Sequence, residues 1–136
     1  MTRKEHPTAG SAEDWLRLAQ GDMNLARAGR SCDVPLEMLC FLVQQAVEKA
    51  IKAMLMSRCT SFPRTHNIGA LLRLLPPDVA LPFADSAAAR LSDYAVSTRY
   101  PGEYEPIEMK EYDEALDLAA QVLQWAVHLV SVKRAP

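Results

Sequence analysis

From Leu36 to Arg58 the chain runs without a proline or a glycine, and apolar side chains recur through it on two sides. Leu36, Leu39, Cys40, Val43, Val47, Ala50, Ile51 and Met54 follow the 3.6-residue period of one helix face. Met38, Phe41, Leu42 and Met56 form a second strip, interleaved with Gln45, Lys49 and Lys52. A helix that is apolar nearly all round is either central to its fold or covered by a partner. In a chain of 136 residues, both are expected. The helix is predicted to begin near Asp33-Val34-Pro35, where Asp can cap and proline suits the first turn.

The rest of the sequence supplies neighbours for this rod. A first helix is expected from about Ala12 to Gly29. Ser11 is its N-cap and Asp14, three residues on, makes a variant of the capping box. Trp15, Leu18, Ala19 and Ala26 form its inward stripe. Asp22 falls inside that stripe and therefore needs a cation or several donors. A short helix should span Asn67 to Leu75, stopped by Pro76-Pro77. A fourth should run from Phe83 to Thr98, with Ala84, Ala87, Ala88, Leu91 and Ala95 inward. Residues 99–106 carry two prolines and a glycine and read as loop. A fifth helix, Glu108 to Val132, has Tyr112, Leu116, Ala119, Leu123, Val127 and Val130 on its main face. Leu118, Val122, Trp125 and Leu129 form a second stripe. Nothing reads as a strand. The prediction is one all-α domain over residues 12–132, an antiparallel bundle of four long helices and one short one. Residues 1–11 are a loose lead-in and 133–136 a short tail.

Charge narrows the function. With 15 Lys+Arg against 17 Asp+Glu, bulk electrostatic capture of nucleic acid is disfavoured, leaving only a local basic patch. Cys32, Cys40 and Cys59 are odd in number and lack framework spacing, so reduced thiols are expected. The N-terminus shows no signal-peptide core, and no apolar run reaches the ~18 residues of a membrane span. These features point to a cytoplasmic protein.

Four sequence elements, in order, resemble the HEPN family (the higher-eukaryote and prokaryote nucleotide-binding domain). They are an Ala-x-x-Asp step, Ala19 and Asp22; the run from Cys40 to Ala53, which resembles CF-x-x-QQA-x-EKA-x-KA; Thr65-His66 opening a short leucine-rich helix; and Arg99-Tyr100-Pro101 before the last helix. The resemblance implies a helical bundle, usually a homodimer, often encoded beside a minimal nucleotidyltransferase as a toxin–antitoxin-like pair. Many relatives are metal-independent endoribonucleases, and others are nucleotide-binding or assembly modules. No cofactor is implied.

The family's ribonucleases carry an Arg-x(4–6)-His motif near the last helix, which supplies a general base and charge stabilisation at phosphate. Arg99 is the counterpart of the Arg. Where the His is due, this chain has Tyr104, Glu105 and Pro106. A phenol with an ordinary pKa near ~10 is a poor base at neutral pH. His66 is the histidine placed to join a site, either as a loop anchor or through ligand contact and proton transfer. Cys59 and His66 lack further ligands for a metal.

The expected phosphate or nucleotide contacts are Arg99, Thr65, His66 and Lys49. Tyr100 and Tyr104 are candidates for base stacking, and by resemblance Tyr104 is also a candidate for nucleotidylation. Arg58, Arg64 and Arg73 could join them in a phosphate-binding patch. Gln44, Gln45, Glu48, Lys49 and Lys52 are either a polar site or merely a solvated face, the plainer expectation being that they fix helix packing and the dimer register. Glu48 and Lys52 make an i,i+4 pair in the favourable orientation, expected to be worth only ~0.3–0.5 kcal/mol. Met38, Phe41, Leu42 and Gln45 are the expected dimer interface. The leading expectation is a nucleotide- or RNA-binding and interaction module; the alternative is a ribonuclease toxin in which His66 replaces the missing histidine, and a third is a purely structural dimer with no ligand.

Overall fold

The computed structural model describes residues 10–95, 102 and 105–134. The described residues form five α-helices: α1 Ala12–Ala28, α2 Leu36–Ser57, α3 Ile68–Leu72, α4 Asp85–Arg90 and α5 Met109–Arg134. Among the described residues there is no strand.

Helix α1 starts as its sequence dictates. Ser11 Oγ accepts the Asp14 amide at 3.2 Å, and the Asp14 carboxylate accepts the Gly10 amide at 3.1 Å. Its buried line is Ala12, Ala19, Met23 and Ala26. Leu18, expected inside, stands about 100° round the helix from Ala19 and is exposed. At the other end of α1, Gly29 lies so close to Leu39 that a Cβ would meet Leu39 Cδ2 at 2.3 Å. Side-chain-free backbone here lets α1 and α2 close together.

The expected Asp33 cap of α2 is absent. Pro35 is the N-cap residue, without a side-chain bond, and its carbonyl accepts the amides of Met38 and Leu39. Asp33 lies two residues too early to reach the first-turn amides. Helix α2 ends in a Schellman motif, in which Thr60 N–H donates to Leu55 O and Cys59 N–H to Met56 O. The left-handed position is held by Cys59, with φ 56°, rather than by glycine.

Direction follows from which ends meet. Asp22 pairs with Lys49, and Ala12 shares a small buried cluster with Ala53 and Val130. Tyr112 clusters with Leu39 and Cys40, and its hydroxyl donates to Ala26 O at 2.6 Å. Helix α1 is therefore antiparallel to α2 and α5, while α2 and α5 run the same way. The crossover between α2 and α5, which contains α3 and α4, makes that possible. It is pinned to α5 by Trp125, whose Nε1 donates to Ala80 O at 3.1 Å and whose ring packs edge-on against Phe83.

Two short elements differ from expectation. Asn67 caps α3, accepting the Ala70 amide, but beyond Leu72 the bonds tighten to three-residue spacing through Leu75. Helix α4 is α-helical for six residues and continues as a 3₁₀ turn over Leu91–Ala95. There Ser92 Oγ turns to accept the Ile68 amide at 2.8 Å, satisfying the start of α3. Ala84, expected inside, is exposed as the N-cap residue of α4. The predicted end of this helix at Thr98 lies outside the described residues.

Helix α5 turns Ala115, Ala119, Val122, Ala126 and Val130 inward, so Val127, about 100° away from Ala126, is exposed. By length and composition alone Met109–Val132 is long and apolar enough to cross a membrane, which amends the expectation that no apolar run reaches the length of a span. Its inward face is committed to the bundle core.

Replacing Cys59 with glycine should relieve the left-handed strain and raise unfolding stability by about 1 kcal/mol, less the entropic cost of glycine. Urea unfolding followed by circular dichroism measures this; an unchanged or lower midpoint contradicts the strain argument.

Candidate functional site

One row of α2, Gln44, Glu48 and Lys52, is polar yet buried. The three are spaced i, i+4, i+8 and so lie one above another. The loop after α2 covers them. Phe62 and Trp15 meet edge-to-face at 6.3 Å, and the Lys52 ammonium sits 5.5 Å from the Trp15 ring and 5.8 Å from the Phe62 ring. Aromatic faces attract a desolvated cation, which offsets part of its burial cost.

Glu48 is the hub of the row. Its Oε2 accepts from Lys52 Nζ at 2.7 Å. Its Oε1 accepts from Gln44 Nε2 at 3.0 Å and lies 2.9 Å from His66 Nδ1. The Glu48 side chain is 5% exposed, whereas that of His66 is 69% exposed. A carboxylate inside the protein thus backs an imidazole at the surface.

The backbone around His66 is held as well. His66 O accepts from Gln44 Nε2 at 3.3 Å, and Thr65 Oγ1 accepts the Asn67 amide at 3.1 Å. Burial pushes the Glu48 carboxyl up, but hydrogen bonds from Lys52, Gln44 and His66, with the Lys52 charge, outweigh it and hold the group below its usual 4.5.

The neighbouring row resolves the Asp22 question. Lys49 Nζ reaches Asp22 Oδ2 at 2.6 Å across the α1–α2 contact, with both side chains mostly buried. Asp22 is thus the internal partner of a cation, as the sequence required. Lys49, expected at phosphate, is occupied by this pair. Thr65 is half-buried beside His66. Arg58 and Arg73 are the C-cap residues of α2 and α3, and Arg64 is exposed two residues before His66. Arg99, Tyr100 and Tyr104 lie outside the described residues, and so does their part in the expected patch.

On the outer side of α2, Met38 and Phe41 are 60% and 42% exposed, with half-buried Gln45 one turn further on. Leu42 instead packs partly against the Leu39–Cys40–Tyr112 cluster. The periodicity did not single out Leu25, which is 60% exposed on α1. Cys32, Cys40 and Cys59 are not joined in a disulfide. Among the described residues no three His, Cys, Asp or Glu side chains gather to hold a metal ion.

Residues 12–130 match the family model described as HEPN domain. The chain belongs to the HEPN domain family. Two solved structures share its architecture. TT1696 from Thermus thermophilus is 33% identical, with a TM-score of 0.76, the match covering 87% of this chain and 97% of that one. ST0689, described as an archaeal HEPN homologue, is 31% identical, with a TM-score of 0.68, covering 88% and 98%. No curated protein matches the chain. In this HEPN domain the motif from Cys40 to Ala53 therefore has a physical content: its first glutamine, its glutamate and its second lysine form the buried row behind His66, and its first lysine ties α2 to α1.

Because the Glu48 carboxyl is depressed on folding, its contribution to stability is present above about pH 4.5 and lost as pH falls through the lower folded value. Stability should therefore decline in that acid window, and a Glu48→Leu/Lys52→Met double variant should flatten the decline. Glu48→Leu alone strands a buried ammonium and should cost about 3–5 kcal/mol, most of which the double variant recovers. Urea midpoints between pH 3 and pH 7 measure both; equal losses in the single and double variants contradict the pairing argument.

Proposed function

We propose that this HEPN domain is a nucleotide- or RNA-binding and interaction module. In this reading it is a cytoplasmic homodimer that works with a separately encoded minimal nucleotidyltransferase, in the manner of a toxin–antitoxin pair. The observation that carries the binding role is His66, an exposed imidazole fixed from behind by buried Glu48 and flanked by Thr65. A ring so held can meet a ligand with little loss of side-chain freedom. Arg99 supplies the phosphate contact and Tyr104 a stacking surface or a site of nucleotidylation.

The dimer role is supported by Met38 and Phe41, large apolar groups left wet one turn apart on the otherwise most buried helix. Such a pair, with Gln45 following, suits an isologous contact between two copies.

A second reading, a metal-independent ribonuclease, draws on the same pairing. A carboxylate-backed histidine is the arrangement a general base uses, and His66 would stand in for the histidine missing at 104–106.

A fluorescent oligoribonucleotide titrated into the protein in EDTA separates these readings. Saturable binding without cleavage, weakened at least about fivefold in Arg99→Ala and His66→Ala, supports the module, since each loss removes one charged or polar contact. Cleavage abolished by both variants supports the ribonuclease. Neither binding nor cleavage overturns both. Light scattering should report a dimer for the parent chain and a monomer for Phe41→Asp; a monomeric parent removes the dimer.

A further inference from the structure

The two nitrogens of His66 have different surroundings. Nδ1 is 2.9 Å from a carboxylate oxygen that is itself buried and already accepts from Gln44, while the ring as a whole is largely exposed. An ionised carboxylate only accepts, so the contact requires a proton on Nδ1. In the neutral imidazole that leaves Nε2 with its lone pair, as an acceptor. The carboxylate cannot easily turn away. Its other oxygen is held at 2.7 Å by Lys52, which is wedged against Trp15 and Phe62, and the His66 carbonyl is held by Gln44.

We infer that Glu48 is a positioning residue. It selects the Nδ1–H tautomer of His66, so the atom offered to a ligand is an accepting Nε2, and this face takes a ligand that brings a hydrogen-bond donor, a hydroxyl or an N–H. The inference rests on the reading of His66 as the ligand-facing group. It adds which nitrogen does the work, which residue decides it and which half of a hydrogen bond the ligand must bring. Lys52 and Gln44 act through Glu48: one anchors the far oxygen, the other ties the near oxygen to the His66 backbone. A histidine without such backing would present either nitrogen as donor or acceptor, and would turn about its side-chain bonds between ligands. The row Gln44–Glu48–Lys52 converts a mobile surface ring into one fixed acceptor.

Long-range proton–nitrogen correlation spectra of the full-length protein, above the pH at which imidazole is protonated, read the tautomer directly. The expected result is protonated Nδ1 and bare Nε2 for His66 in the parent chain, with His128 serving as an exposed internal comparison. Glu48→Gln should move His66 toward the mixture seen for an unbacked imidazole. The same change should weaken oligoribonucleotide binding roughly threefold to tenfold, the worth of one well-oriented hydrogen bond. If Glu48→Gln fails to fold, Glu48→Asp, which withdraws the carboxylate by one carbon, should shift the tautomer in the same direction. A parent chain with its proton on Nε2 overturns the inference, as does a folded Glu48 variant whose His66 spectrum is unchanged. If the parent shows the expected tautomer but binds no oligoribonucleotide, the positioning by Glu48 stands and the functional reading falls.

Discussion

A carboxylate and an ammonium leave water together only when each finds enough partners to replace its hydration. Glu48 and Lys52 meet that requirement inside this domain. Lys52 has the carboxylate and two aromatic rings; Glu48 has Lys52, Gln44 and His66. Much else follows from that arrangement. The loop after α2 must fold back to bring Phe62 over Lys52. The chain must then arrive at His66 with its ring over Glu48 and its carbonyl on Gln44, and α3 must start at once, capped by Asn67. The most exposed member of the cluster is thereby the end of a chain of contacts that begins in the core.

The same helix carries three other obligations. Its apolar face builds the bundle core, Lys49 satisfies the carboxylate that α1 puts at the contact, and its outer strip leaves Met38 and Phe41 in solvent. Four functions on one rod explain why it reads as apolar on nearly every side yet is interrupted by glutamine, glutamate and lysine at helical spacing. The parallel course of α2 and α5 is a further consequence. Since α1 returns against α2, the chain needs the long crossover through α3 and α4 to bring α5 in alongside, and Trp125 fastens that crossover down.

Legibility in the sequence depended on whether a residue's fate was local. Ser11 and Asp14 cap α1 as their spacing required, and Asp22 has the cation that a carboxylate in an inward stripe demands. Leu18 and Val127 are exposed although they fall on apolar stripes, because a stripe in the sequence spans more than the width a neighbouring helix covers. Helix α4 came out shorter, with Ser92 drawn to the Ile68 amide, a bond between segments that no periodicity encodes. The site was half legible. The i,i+4 steps from Gln44 through Lys52 were visible, and His66 stood out, but nothing local said that the row was buried or that His66 lay over its centre.

The sequence by itself determined the all-α class, the main helices and the need for the Asp22 pairing. Periodicity, capping and the cost of an unpaired buried charge are properties of a few neighbouring residues. Tertiary structure alone decided that α2 and α5 run parallel, that Glu48 is sealed from water, and that its free side points at an imidazole eighteen residues further on. Those outcomes depend on how the loop after α2 closes, and loop closure is settled by contacts between distant segments rather than by the residues of any one of them.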